Sequence, residues 1–141
     1  MSEENKALAM RGWDVLRDPS ILEEVYSPDL VWHEPDGDIR GHDGAREFVG
    51  MWLSAFPDSS ITVDDIFAEG DKVVTRWRFS GTHRGDFAGL APTGRQVTGG
   101  GITVHRIADG KIVEEWEAYD NLTFLQQLGA VPAQRAAAQE A

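Results

Sequence analysis

The chain has 141 residues, with 13 Lys and Arg against 24 Asp and Glu, giving a formal net charge of −11. That length fits one domain able to bury roughly two-thirds of its unfolded surface, and the lack of any cysteine excludes disulfide staples, a thiolate zinc site and a cysteine nucleophile. The acidic balance, with its cations scattered, argues against a nucleic-acid partner. No apolar run approaches the roughly 18 residues that would span a membrane, and residues 1–6 lack the basic and apolar parts of a secretory signal, so the cytoplasm is the expected location. Residues 1–132 are expected to form a single domain, with an Ala- and Gln-rich tail at 133–141 that frays.

Leu8, Gly12, Val15 and Leu16, with Trp13 beside them, recur at helical spacing and predict a helix over 3–17. Asp18 and Pro19 suit an N-cap and a first turn. A short second helix should follow, turning Ile21, Leu22, Val25 and Tyr26 inward until Pro28 ends it. Residues 30–34 form a strand candidate, closed by the turn cluster Pro35-Asp36-Gly37-Asp38. Over 43–56, Ala45, Phe48, Val49, Trp52 and Phe56 trace one apolar stripe, and Pro57 stops that helix.

From Ser60 the period changes to two. Ile61, Val63, Asp65 and Phe67 should share one face, and after the turn at Gly70 so should Val73, Thr75, Trp77 and Phe79. Residues 81–95 read as a loop with a short strand near Phe87. Strands over 96–107 and 111–119 flank Asp109-Gly110, a strong short hairpin signal. A last helix carries Leu122, Leu125 and Leu128 and stops at Gly129. Helices first and antiparallel strands afterwards define an α+β class, in which helices cover one face of a curved, mostly antiparallel sheet.

A two-residue turn at Asp109-Gly110 sets a register, with Ala108 opposite Lys111. Counting outward, Ile107 faces Ile112, His105 faces Glu114, Thr103 faces Trp116, Gly101 faces Ala118 and Gly99 faces Asp120. All ten share one face, and the small residues Gly99, Gly101 and Ala118 leave room for a cavity above it. In that register Asp120 lies about 20 Å along the strand from Glu114, at ~3.3 Å per residue. His105 and Asp120 would then occupy different parts of one pocket.

Several runs resemble the SnoaL-like polyketide (ester) cyclases: Phe56-Pro57-Asp58, then 68–74 (AEGDKVV), 81–85 (GTHRG) and 91–95 (APTGR), then 109–116 (DGKIVEEW) followed by Asp120 and Gln127-Leu128-Gly129. The resemblance covers about residues 8–129 and implies the cone-shaped fold of the NTF2-like superfamily, with helices inside a curved sheet and a ligand cavity between. It implies intramolecular aldol closure of an anthracycline-type polyketide ring without metal or cofactor. Asp120 matches the family's general acid/base, and His105 is the nearest match to a histidine that binds or polarises substrate. Face-to-face homodimers are also implied, and the outer hairpin face (Ile102, Val104, Val113, Tyr119) offers apolar surface beside Arg106, Glu115 and Glu117.

The chemistry asks for little, because a carbon between two carbonyls is already acidic and one carboxylate can take its proton. An apolar pocket with Trp116 nearby would raise the pKa of Asp120 from about 3.9. His33, beside Trp32 on a short strand, and His83, in the glycine-rich loop, are candidate substrate contacts. Trp32, Trp77 and Trp116 are candidate flat surfaces for a hydrophobic or aromatic small molecule. Each residue also has a plainer role open to it. Asp120 precedes a helical run and could cap it, which would lower its pKa. His105 could be a core group paired with Glu114. A non-catalytic ligand-binding domain, or a relative diverted to hydroxylation or hydrolysis, are the alternatives.

Overall fold

The computed structural model describes residues 2–130, and the tail expected at 133–141 lies outside the described residues. Helix α1 (Ser2–Trp13) runs through a short 3-10 turn (Asp14–Leu16) towards α2 (Ile21–Val25). Strands β1 (Tyr26–Glu34) and β2 (Gly37–Arg40) precede α3 (Gly41–Ala55). Four long strands follow, β3 (Ser60–Glu69), β4 (Lys72–Thr82), β5 (Gln96–Ala108) and β6 (Lys111–Tyr119), and then α4 (Asn121–Gln127). The strands make one sheet in the order β2-β1-β6-β5-β4-β3. Every neighbouring pair is antiparallel except β1 with β6, which is parallel.

Period and packing agree for α3. Its stripe of Ala45, Val49 and Ala55 is fully or nearly fully buried, Phe48 and Trp52 line the same side, and the chain breaks at Phe56-Pro57. α1 buries only Ala9 and Gly12 within the helix proper, and Val15 and Leu16 continue its apolar face through the 3-10 turn. Two apolar clusters result. One joins α1, α2 and α3 to β1, with Leu22, Val25, Leu30 and Ile112 almost inaccessible. The other is aromatic and centres on Phe56, Phe79, Phe87 and Phe124.

Three boundaries differ from expectation. Tyr26 and Pro28, assigned to a helix and its end, belong to β1. The β1–β6 ladder skips from Tyr26 to Val31, and Pro28 sits in that gap, where no ladder bond needs its missing N–H. Gly37 and Asp38 are not turn residues, because the turn is only Pro35-Asp36 and β2 pairs back immediately, Glu34 opposite Gly37. In β3 an irregularity between Val63 and Asp65 reverses the alternation. Ile66 and Ala68 therefore turn inward, and Phe67 is 58% exposed.

The most consequential difference is in β6. Asp109 and Gly110 both take positive φ, 52° and 74°, as a tight two-residue hairpin turn requires. Ala108 faces Lys111 and Ile107 faces Ile112, as the sequence indicates. Then the register slips by one, with Arg106 opposite Glu114 and His105 opposite Glu115, through to Gly101 opposite Tyr119. Val113 is the extra residue of a β-bulge, and beyond it the other set of side chains points inward. Glu115, Glu117 and Tyr119 share a face with His105, whereas Glu114 and Trp116 lie on the outer one.

Gly101 shows how tightly this inner face is filled. A Cβ there would stand 2.6 Å from the Trp77 ring, 2.6 Å from the Ala118 carbonyl and 2.9 Å from Tyr119 Cβ. The room expected above Gly101 is taken by Trp77. The Gly101→Ala variant should lose about 1–3 kcal/mol of stability, read as a lower midpoint in urea unfolding, because the backbone carbonyl cannot yield as a side chain could.

Candidate active site

A cavity of about 330 Å³ lies between the inner face of the sheet, α1, α3 and α4. Its apolar walls come from Trp13, Trp32, Phe48, Trp52, Trp77 and Phe79. Gly99, with no atom near the position of a Cβ, opens part of its rim. Set into these walls are the carboxyl groups of Glu34, Glu115 and Glu117, with Asp120 at the end of β6, and among the described residues no Lys or Arg lines the cavity.

Two tryptophan–threonine relays fix the glutamates. Thr75 and Thr103 are opposite one another on β4 and β5, and His105 and Thr103 are opposite Glu115 and Glu117 on β6. Trp13 Nε1 donates to Thr75 Oγ1 (3.1 Å), which is 2.8 Å from His105 Nε2. His105 Nδ1 in turn holds Glu115 Oε2. With Thr75 accepting from Trp13, its hydroxyl hydrogen is free for Nε2, which leaves Nδ1–H to donate to Glu115. In the second relay Trp77 Nε1 donates to Thr103 Oγ1 (2.9 Å), and Thr103 donates to Glu117 Oε2 (2.5 Å). On the remaining side the Tyr119 hydroxyl donates to Glu34 Oε1 (3.4 Å) and the Tyr26 hydroxyl to Glu115 Oε2 (3.5 Å).

Crowding acids into a dry wall makes them hard to ionise. Burial, then the charge of Glu115, pushes Glu34 up to about 7, against a smaller opposing effect of the Tyr119 hydroxyl bond. Burial, then the charges of Glu115 and Glu34, raises Glu117 well above the ordinary carboxylate range. The phenols of Tyr26 and Tyr119 are raised by the same causes, burial first.

Asp120 is different. Its Oδ1 accepts the Thr123 backbone N–H (3.0 Å) and its Oδ2 the Thr123 hydroxyl (2.5 Å), so it caps α4 while also lining the cavity. The Thr123 hydroxyl bond, then the backbone bond, lowers its pKa. The rise expected of a desolvated pocket aspartate is replaced by a fall, because the capping donors favour the anion.

Other expected site residues separate. Trp32 and Trp77 line the cavity. His105, 1% exposed, stands behind the wall and touches Glu115 rather than the cavity, and its partner is Glu115, not Glu114. His33 and Trp116 lie on the outer face, stacked with ring centroids 5.5 Å apart. There His33 Nδ1 meets Asp38 (2.9 Å) and Nε2 meets Glu114 (2.7 Å), and the Glu114 bond, then the Asp38 bond, raises its pKa. His83 is buried outside the cavity lining. Its Nδ1 bonds Thr93 (Oγ1 at 3.0 Å), and its ring lies over Phe56 at 5.6 Å, so it closes the 81–95 loop. The bulge at Val113 accounts for Trp116 and the exchange of Glu114 for Glu115, and the side of β1 that carries Trp32 excludes His33. Among the described residues no group of three or more His, Asp or Glu side chains is arranged to hold a metal ion, and no helix is long and apolar enough to cross a membrane.

A curved six-stranded sheet folded over helices, with an acid-set aromatic cavity inside, defines a cone-shaped α+β container of the NTF2-like kind. The family model of the SnoaL-like polyketide cyclases matches residues 7–128. This chain belongs to that family. It is 31% identical over 110 residues to the aklanonic acid methyl ester cyclase DauD of Streptomyces sp. (strain C5), covering 77% of this chain and 67% of that one. The crystal structure of AclR of Streptomyces galilaeus, proposed to be a hydroxylase, superposes with a TM-score of 0.83 at 32% identity, covering 94% of this chain and 89% of that one. A proposed SnoaL-like polyketide cyclase from Jannaschia sp. CCS1 gives 0.86 at 25% identity, over 94% and 96%.

The raised Glu34 carries a pH dependence of stability. Below about 4.5, its ordinary value, it is protonated in folded and unfolded chains alike. From there to about 7 the unfolded chain ionises first, so stability falls as pH rises, by up to ~3 kcal/mol at about 1.4 kcal/mol per unit. Glu34→Gln should therefore be more stable than the parent at pH 8 and nearly equal to it at pH 4.5, as urea unfolding at the two pH values would read.

Proposed function

We propose that the chain is a cofactor-independent cyclase that closes a ring by intramolecular aldol-type addition in a small, conjugated, carbonyl-bearing substrate. Asp120 is the group that takes the proton from carbon. One observation carries this reading: the cavity wall includes a carboxylate held ionised at its rim, with the aromatic surface a flat substrate needs beside it. A carbon acid flanked by carbonyls does not demand a strong base, and a positioned carboxylate supplies roughly 10²–10⁴-fold. Holding the two carbons together supplies more. His105 acts in this scheme as a positioning residue, fixing Glu115, and not as a contact for substrate.

Asparagine caps a helix about as well as aspartate, so Asp120→Asn separates the two roles of this side chain. Assayed with aklanonic acid methyl ester, the compound named for the relatives, the variant should keep the parent's melting behaviour and lose turnover by about 10²–10⁴-fold. Retained turnover would remove Asp120 as the base. A second reading, hydroxylation, draws on the likeness to AclR, and incorporation of labelled oxygen from O₂ into product would favour it over ring closure.

The outer sheet face supports a homodimer as part of the same proposal. Ile102 is 47% exposed and Trp116 37% exposed on neighbouring strands, whereas Tyr119, expected there, has turned inward. An Ile102→Glu variant should halve the mass seen by sedimentation equilibrium. An unchanged mass would place any dimer contact elsewhere.

A further inference from the structure

We propose that Glu34 is the general acid of the ring closure, facing the same cavity as Asp120 and giving its proton to the substrate oxygen as Asp120 takes one from carbon. The proposal rests on the reading of Asp120 as base, and it adds a residue that neither the sequence pattern nor the family likeness singled out. Glu34 and Trp32 alternate onto the inner side of β1, and both line the cavity. Tyr119, the residue next to Asp120, donates its hydroxyl to Glu34 Oε1. In the protonated carboxyl that oxygen is the carbonyl one, so Oε2–H is left to donate towards a ligand.

The groups facing Glu34 are all acids. Glu115, Glu117 and Tyr119 come from β6 and Asp36 from the turn beyond β1, and among the described residues no Lys or Arg lines the cavity to hold Glu34 as an anion. Asp120 has the opposite environment, two donors from Thr123. Two carboxyl groups in one pocket, one raised towards neutrality and one lowered, carry an acid and a base assignment with them. The titration of Glu34 near neutrality suits a group that must be protonated to start each cycle.

The step balances. The C–H proton passes to Asp120, the carbanionic carbon bonds to the acceptor carbonyl carbon, and that C=O opens while its oxygen takes the proton of Glu34. The product alcohol holds one former Glu34 proton, Asp120 is left as the acid and Glu34 as the carboxylate. Proton return from Asp120 to Glu34 restores both, and no oxidant or second reactant is consumed.

The test uses the full chain with aklanonic acid methyl ester as probe, measuring kcat/KM from pH 5 to 9 for the parent, Glu34→Gln and Asp120→Asn. In the parent the rate should fall roughly tenfold per unit above about pH 7. Glu34→Gln should lose about 10²–10⁴-fold at pH 6 and lose that alkaline limb with it. If Glu34→Gln keeps the parent rate, or keeps the limb, while Asp120→Asn is inactive, the acid assignment is overturned and the base assignment stands. A parent chain inert towards the probe overturns both. A carbon-detected NMR titration of the Glu34 carboxyl needs no variant, and a midpoint near its ordinary 4.5 would also overturn the proposal.

Discussion

Between Ile112 and Glu115 the sixth strand turns over, and the character of the cavity follows from that reversal. Ile112 is fully buried in the aliphatic cluster, so the first half of β6 is fixed by the core. Without the extra residue at Val113, strict alternation would carry Glu114, Trp116 and Ala118 inward, with one glutamate of β6 on the inner face where two now stand. With it, two glutamates and a tyrosine enter the interior opposite His105, Thr103 and Gly101. The cost of burying those acids is offset where they meet donors, and the Trp13–Thr75 and Trp77–Thr103 relays are those donors. The tryptophans thus do more than line the wall. Their N–H groups end two hydrogen-bond chains whose other ends are carboxyl groups.

The ionisation pattern follows from where each acid sits relative to backbone donors. Glu34 and Glu117 project from strands whose N–H groups are spent in the ladder, and their hydrogen bonds come from the Tyr119 and Thr103 hydroxyls. Asp120 stands where β6 ends and α4 begins, and there the first turn of the helix has N–H groups to spare. One fold therefore raises Glu34 and Glu117 and lowers Asp120. A container meant only to hold an apolar ligand would have no use for that division, since each buried carboxyl removes stability that an aliphatic side chain would supply.

Much of the fold is legible in the amino-acid order. The α3 stripe from Ala45 to Phe56, the tight turn at Asp109-Gly110, and the open rim at Gly99 all follow from spacing and turn chemistry. The site is less legible, and the failures share a cause. Period-two reasoning assumes unbroken alternation, and it assumes that Trp goes inward and Glu outward. In Glu114-Glu115-Trp116-Glu117 both assumptions mislead together, because a one-residue bulge leaves no mark on composition and the glutamates that turn inward are the ones that line the cavity. The same slip in β3 exchanges Ile66 for Phe67. His105 marks the correct face of the sheet, and a hairpin register shifted by one residue sets Glu115 opposite it in place of Glu114. Glu34 follows Trp32 at strand spacing, but nothing local distinguishes it from a solvated residue before the Pro35 turn.

Capping α4 and serving as a base are compatible duties for one carboxylate. An ionised carboxyl offers about four lone-pair directions, and Thr123 uses one on each oxygen, so lone pairs remain for a C–H donor. The cap also removes the rotational freedom that a strand-end aspartate would otherwise have, which is the kind of positioning that a proton transfer from carbon needs. It lowers basicity at the same time, and a weak base is sufficient only when the carbon acid is strong. As the proposed base, the capped Asp120 would restrict the chemistry as well as enable it. A proton between two carbonyls is within its reach, a proton beside a single unactivated carbonyl is not, and an acid at the oxygen, as Glu34 would be, is what extends that reach.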